Sequence, residues 1–189
     1  MLYGYSPIAA ARLLGLRSRF WLACLILISP LIVRAEAVTD VRVLIDVSGS
    51  MKKNDPRNLR TPALEMLVGL LPENTKSGIW TFGRYVNMQV KLGKVNKDWK
   101  RLAMAEAKKI HSRGLYTNIE EAVKRSTTDW TKPDPGYERH LILLTDGMVD
   151  IGKDARLNEQ SRRRLLNDIL PRLEGCLLYT SDAADESSR

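Results

Sequence analysis

The sequence predicts an open, mostly parallel α/β sheet with helices on both faces. Apolar, β-branched runs alternate with stretches of helical periodicity, and two of those runs end in a carboxylate followed by small residues. With 189 residues, 44% of them hydrophobic and 28% charged, the chain has the composition of one ordinary globular domain rather than a disordered or disulfide-stapled one.

Val41 to Asp46 is a β-branched run closed by a small-residue turn, as in a strand buried on both faces. A loop from Met51 to Arg60 follows, and Thr61-Pro62 is expected to cap a helix carrying Leu64, Leu67, Leu70 and Leu71, which stops at Pro72. Residues 78–82 and 86–90 read as a strand pair around Gly83-Arg84. Asp98 is expected to cap a helix through Trp99, Leu102, Ala105 and Ile110, and a second helix starts near Asn118. Leu141 to Thr145 is another buried strand, ending at Asp146-Gly147. Asp154 opens the last helix, on which Arg162, Arg163 and Arg164 are expected to point mainly outward. The whole corresponds to a Rossmann-like, doubly wound sheet, expected to be truncated before its last strands.

The two ends differ from this middle. Arg12, Arg17 and Arg19 precede an apolar run from Phe20 to Val33, followed by Ala35-Glu36-Ala37, the order of a secretory signal peptide cleaved after Ala35 or Ala37. Residues 1–35 are therefore expected to direct export to the periplasm or the cell exterior. The alternative is an inner-membrane signal anchor, but the run is 14 residues long and interrupted by Ser29-Pro30, against roughly 20 for a span. From Cys176 to Glu186 the sequence resembles a translated sequencing adapter, so residues 176–189 are expected to be a non-native tail; the alternative is a genuine short strand from Cys176 to Thr180 that ends in a polar tail. With a non-native tail the strand ending at Thr145 would lie at an unpaired edge, a liability for folding and solubility. The two cysteines, Cys24 and Cys176, fall in these terminal segments, so neither a disulfide nor a thiolate metal site is expected in the middle.

Chemistry concentrates at Asp46-Val47-Ser48-Gly49-Ser50, which places a carboxylate and two hydroxyls on one tight turn. Thr117 and Asp146 belong to two further element ends. In doubly wound sheets such ends meet outside the carboxyl edge of the strands. Five small oxygen donors without histidine or thiol suit a hard cation, Mg2+ first, with Mn2+ or Ca2+ as alternatives.

These residues resemble the metal-ion-dependent adhesion site of the von Willebrand factor type A domain: Asp-x-Ser-x-Ser, a later Thr and a later Asp-Gly. The resemblance covers Val41 to about Gly175, within a domain expected to span residues 38–175. It implies that Ser48, Ser50 and Thr117 serve as hydroxyl ligands and that Asp46 and Asp146 hold the ion directly or through water. It also implies a protein ligand whose Glu or Asp completes the coordination. The loop from Met51 to Arg60, with Lys52, Lys53, Asp55 and Arg57, borders the site and is a candidate specificity element.

A catalyst is not expected. A Mg2+-dependent phosphotransferase or hydrolase using Asp46 is the alternative, but aspartyl phosphotransferases place a second Asp where Ser48 stands. No phosphate-cradling Gly-rich loop with a lysine is present, and neither His111 nor His140 has the context of a catalytic base. The net charge of +8 is spread along the chain, and Trp80, Trp99 and Trp130 form no stacking array, so nucleic acid is not an expected partner.

Overall fold

The computed structural model describes residues 37–130, 132–147 and 149–173, together with the backbone of 177–181. The expected signal peptide of residues 1–35, Cys24 and Cys176 lie outside the described residues, as does most of the tail.

Strand β1 (Val38–Asp46) occupies the centre of a five-stranded sheet of order β3-β2-β1-β4-β5. Its neighbours β2 (Lys76–Phe82) and β4 (Tyr137–Leu144) both run parallel to it, while β3 (Val86–Lys94) pairs antiparallel with β2. Strand β5 (Leu177–Ser181) pairs parallel with β4 from His140↔Leu177 to Leu144↔Ser181. In the chain as it stands, the strand next to β4 is therefore supplied by residues of the segment read as a tail. Leu-Leu-Tyr-Thr-Ser is a strand-forming run by residue type, and its backbone supplies β4 with a second hydrogen-bonding neighbour.

Alternation along β1 sends its side chains into two cores. Val41, Val43 and Ile45 face α2 (Arg60–Leu70) and α3 (Lys97–Ala107), joined there by Ile79, Leu64 and Val68. Leu44 faces α4 (Ile119–Ser126) and the last helix, with Trp80, Phe82, Leu141 and Leu143. That last helix, α5, runs over Ala155–Arg164 and continues as a π turn and a 3₁₀ turn through Leu165–Leu173.

Five helix details differ from the sequence expectation. A short helix, α1 (Met51–Asn54), begins directly after Ser50. The start of α2 is held not by Thr61 but by Asp55, whose carboxylate accepts from the amides of Leu59 (2.7 Å) and Arg60 (3.3 Å). A charged acceptor at a helix N-terminus outcompetes a hydroxyl. On α3 the cap is Asn96, whose side chain accepts from the Trp99 amide at 2.8 Å, and Asp98 is merely in the first turn. The buried stripe of α3 is Trp99, Ala103, Ala107, while Leu102 is 50% exposed. Alanines at the line of closest approach let the helix sit down on the sheet, and a leucine there would overfill the space. Leu70 of α2 is likewise outside, at 72% exposure. Asp154 does cap α5, accepting from the Arg156 amide at 2.9 Å.

The arginine triplet on α5 divides. Arg162 and Arg163 pair with Glu159 on the surface, whereas Arg164 reaches across to Glu120 of α4, with Nε at 2.9 Å and Nη2 at 2.8 Å. Glu120, 6% exposed, also accepts from Ser161 Oγ and Lys124 Nζ, both at 2.6 Å. The hydrogen bonds from Arg164, assisted by those from Lys124 and Ser161, hold its carboxyl at about 2 against an ordinary 4.5. A carboxyl so depressed stabilises the fold in its ionised form above about pH 4.5, and that contribution is lost as the pH falls toward 2. Glu120→Gln is expected to lower stability at pH 7 and to leave it unchanged near pH 2. Urea unfolding of both proteins across that range checks this, and parallel pH profiles would contradict it.

Candidate metal centre

The ends of β2, β1 and β4 lie side by side, with Asp46 in register with Phe82 and Ile45 with Leu144. The chain leaves β1 for β2 on one side and returns through β4 on the other, so the crevice beyond Asp46 is a topological switch point.

Asp46 is fully buried. One carboxylate oxygen accepts from the Ser48 amide at 2.8 Å and the other from Thr145 Oγ1 at 2.7 Å. Its carbonyl accepts from the guanidinium of Arg60, which is itself buried. Burial pushes the Asp46 carboxyl up, the bonds from Ser48 and Thr145 oppose this, and the charge of Asp146 adds to the upward push. Ser48, 2% exposed, shares a hydrogen bond with Ser50 between hydroxyls 2.9 Å apart, while Ser50 is open to solvent.

Asp146 follows β4 and is 7% exposed. Its Oδ2 accepts from Asn54 Nδ2 at 2.9 Å, and its Oδ1 is buried with no hydrogen-bond donor. Gly147 then turns the chain at φ 82°, a backbone state that costs a glycine little.

Thr117, 3% exposed, is anchored through its main chain: it exchanges amide–carbonyl bonds with Asp150, and the next amide, Asn118, donates to the Gly83 carbonyl at 3.0 Å. Further back, Gly114 donates to the Val47 carbonyl at 2.7 Å. A side chain on Gly114 would meet that carbonyl oxygen at 2.8 Å, so only glycine allows the loop to press so close to the turn after β1. Asn118 caps α4 by accepting from the Glu121 amide at 3.0 Å.

Hydrogen bonds thus join Asp46, Ser48 and Ser50 directly. Asp146 is coupled to them by charge and through its neighbour Thr145, and Thr117 through the loop backbone. Three supporting residues escaped the sequence reading: Thr145, Asn54 and Arg60. Thr145 directly precedes Asp146 at the end of an apolar run and could have been noticed there. Asn54 and Arg60 fall in a polar stretch that the sequence reads as a loop, with no distinguishing signal.

The donors are oxygens only. Among the described residues no three His, Cys, Asp or Glu side chains gather to hold a metal; an ion here would rest on two carboxylates and hydroxyls, donors that suit a hard cation. The donorless Oδ1 of Asp146, beside a second buried carboxylate, fits such an ion. The Ser48 hydroxyl is bonded to that of Ser50, and His111 Nδ1 accepts from the Arg113 amide at 3.2 Å.

A doubly wound α/β domain with a carboxylate and two hydroxyls on the turn after its central strand, and a second carboxylate after the adjacent strand, is a recognisable class. The chain belongs to the von Willebrand factor type A domain family, whose pattern matches residues 40–165. Solved structures agree on the fold. A von Willebrand factor type A protein from Catenulispora acidiphila superposes with a TM-score of 0.58 at 14% identity, over 77% of this chain and 33% of that one. Proximal thread matrix protein 1 from the mussel byssus gives 0.56 at 19% identity, over 77% and 38%. The manganese-loaded TRAP protein of Plasmodium vivax gives 0.55 at 20% identity, over 76% and 56%. The chain therefore spans from a third to just over half the length of these proteins. No curated protein matches it significantly.

Proposed function

We propose that this chain is an exported type A domain that binds a protein ligand through a divalent cation held by Asp46, Ser48, Ser50, Thr117 and Asp146. Mg2+ is the expected ion, with Mn2+ and Ca2+ as substitutes. The observation that carries the reading is Asp146 Oδ1, a buried carboxylate oxygen without a donor, next to the buried Asp46. Two carboxylates and neutral hydroxyls roughly balance a divalent charge and leave room for an acidic side chain of the ligand. The manganese in the TRAP structure is in keeping with this. Export rests on the leader-like residues 1–35. No helix among the described residues is long and apolar enough to cross a membrane.

The test is a Mn2+ titration by calorimetry on the chain and on Ser50→Ala. The exposed hydroxyl can be removed without disturbing the core, so the variant is expected to keep its fold and lose metal affinity at least about tenfold. Equal affinity in the two proteins, or no heat with either, would overturn the assignment.

A further inference from the structure

Beside the cluster, on the β2 side, the surface holds a groove of about 260 Å³. It is lined by Val47, Gly83 and Gly114 together with Arg84, Tyr85 and Leu115. Tyr85 is 72% exposed and Leu115 66%, a large apolar exposure for residues flanking so polar a site. The Arg84 guanidinium lies over the rings of Tyr85 and Tyr116, 5.9 and 5.5 Å from their centroids. No carboxylate is among the lining residues.

The loop is held in shape. Tyr116 adopts φ 59°, a left-handed backbone that is unfavourable for a bulky residue and persists only where neighbours enforce it. Enforcement is visible: the Leu115 and Tyr116 carbonyl oxygens occupy the space a side chain on Gly83 would need, at 3.2 and 3.4 Å. The bond from Gly114 to Val47 and that from Asn118 to Gly83 fasten both ends. A groove built this way is organised before a ligand arrives. Tyrosine and arginine around a small concavity are also the residues that dominate binding energy at protein interfaces.

We propose that this groove is a recognition subsite for an apolar side chain that neighbours an acidic residue in the protein ligand. The ligand is thus an acidic loop or tail with an aromatic or aliphatic residue beside its metal-seeking carboxylate. The choice of an acidic partner follows from charge. Arg84 and Arg113 on this rim, and Lys52, Lys53 and Arg57 on the loop across the cluster, are exposed cations that attract such a segment and repel a basic one. The assignment of the neighbouring carboxylate to a metal rests on the reading proposed above, whereas the groove itself does not.

The test uses displayed random short peptides, each with one fixed central Glu, selected on the chain in Mn2+ and again in EDTA. Selected peptides are then measured on Arg84→Glu, on Leu115→Asp and on Lys97→Glu, a charge reversal at the exposed start of α3. Enrichment of an aromatic or aliphatic residue next to the Glu is expected. Binding should weaken at least about tenfold in the two groove variants and stay within about twofold in Lys97→Glu. Mn2+-dependent selection that ignores the groove variants would overturn the subsite and leave the metal reading standing. Selection sensitive to the groove variants but unchanged in EDTA would keep the subsite and overturn the metal reading. Peptides without an apolar neighbour, equal losses in all three variants, or no selection at all would end the subsite proposal.

Discussion

Replacing Arg42 with methionine is expected to cost about 3–5 kcal/mol of stability, the usual consequence of removing one member of a buried ion pair. Arg42 sits in the middle of β1 at 1% exposure, and every face of its guanidinium is in use. Nε and Nη2 donate to the two oxygens of Asp40 at 3.1 and 2.8 Å, Nη1 donates to the Ser126 carbonyl, and Asp129 accepts from both terminal nitrogens. The plane stacks on Trp130 at 4.2 Å, and the indole in turn donates to Asp40 at 3.1 Å. Methionine keeps the packing but leaves Asp40, itself 1% exposed, with only the indole and the half-covered Lys76 at 3.4 Å. Asp129 is half exposed and turns to water at little cost. Most of the loss should therefore be recovered in the double variant Arg42→Met with Asp40→Leu. Urea unfolding followed by circular dichroism checks both; a single-variant loss under about 1 kcal/mol would show that the network is not needed for stability.

At the carboxyl edge of the sheet the expected effect has the opposite sign. Asp146→Asn is expected to raise the stability of the metal-free chain by about 1 kcal/mol while weakening Mn2+ binding at least about 100-fold. The amide still accepts from Asn54, and it removes both the donorless oxygen and the negative charge that pushes on Asp46. A melting temperature a few degrees higher without metal, and no further rise on adding Mn2+, is the combined signature. A variant that melts lower without metal, or that is still stabilised by Mn2+, would refute the account.

The architecture was legible because its strands are simple. Leu141–Leu144 is apolar on both faces and Val41–Asp46 is mostly apolar and β-branched, a pattern that few structures other than a covered parallel sheet accommodate. The cluster was legible because its donors crowd into one pentapeptide and the ends of two elements. What stayed hidden depends on long-range competition. Which face of α3 turns inward was decided by how near the helix approaches the sheet, and that selected Ala103 and Ala107 over Leu102. Which residue caps α2 was decided by the reach of Asp55 across a loop. Arg164 could not be told from Arg162 and Arg163 by spacing, because its partner Glu120 lies 44 residues away.

The pairing at β3 bears on how such a molecule behaves in a crowded solution. The register of β2 against β3 slips twice, around Ile79, and Gly78 leaves room for the Trp80 ring to lie over the irregularity. Lys91 and Lys94 lie on the outer half of β3. A bulged edge carrying lysines is a poor template for strand addition. This flank of the sheet is thereby closed to accretion, so molecules that meet edge to edge find no ladder to extend there. Slow fibrillar association on storage is correspondingly disfavoured along this side.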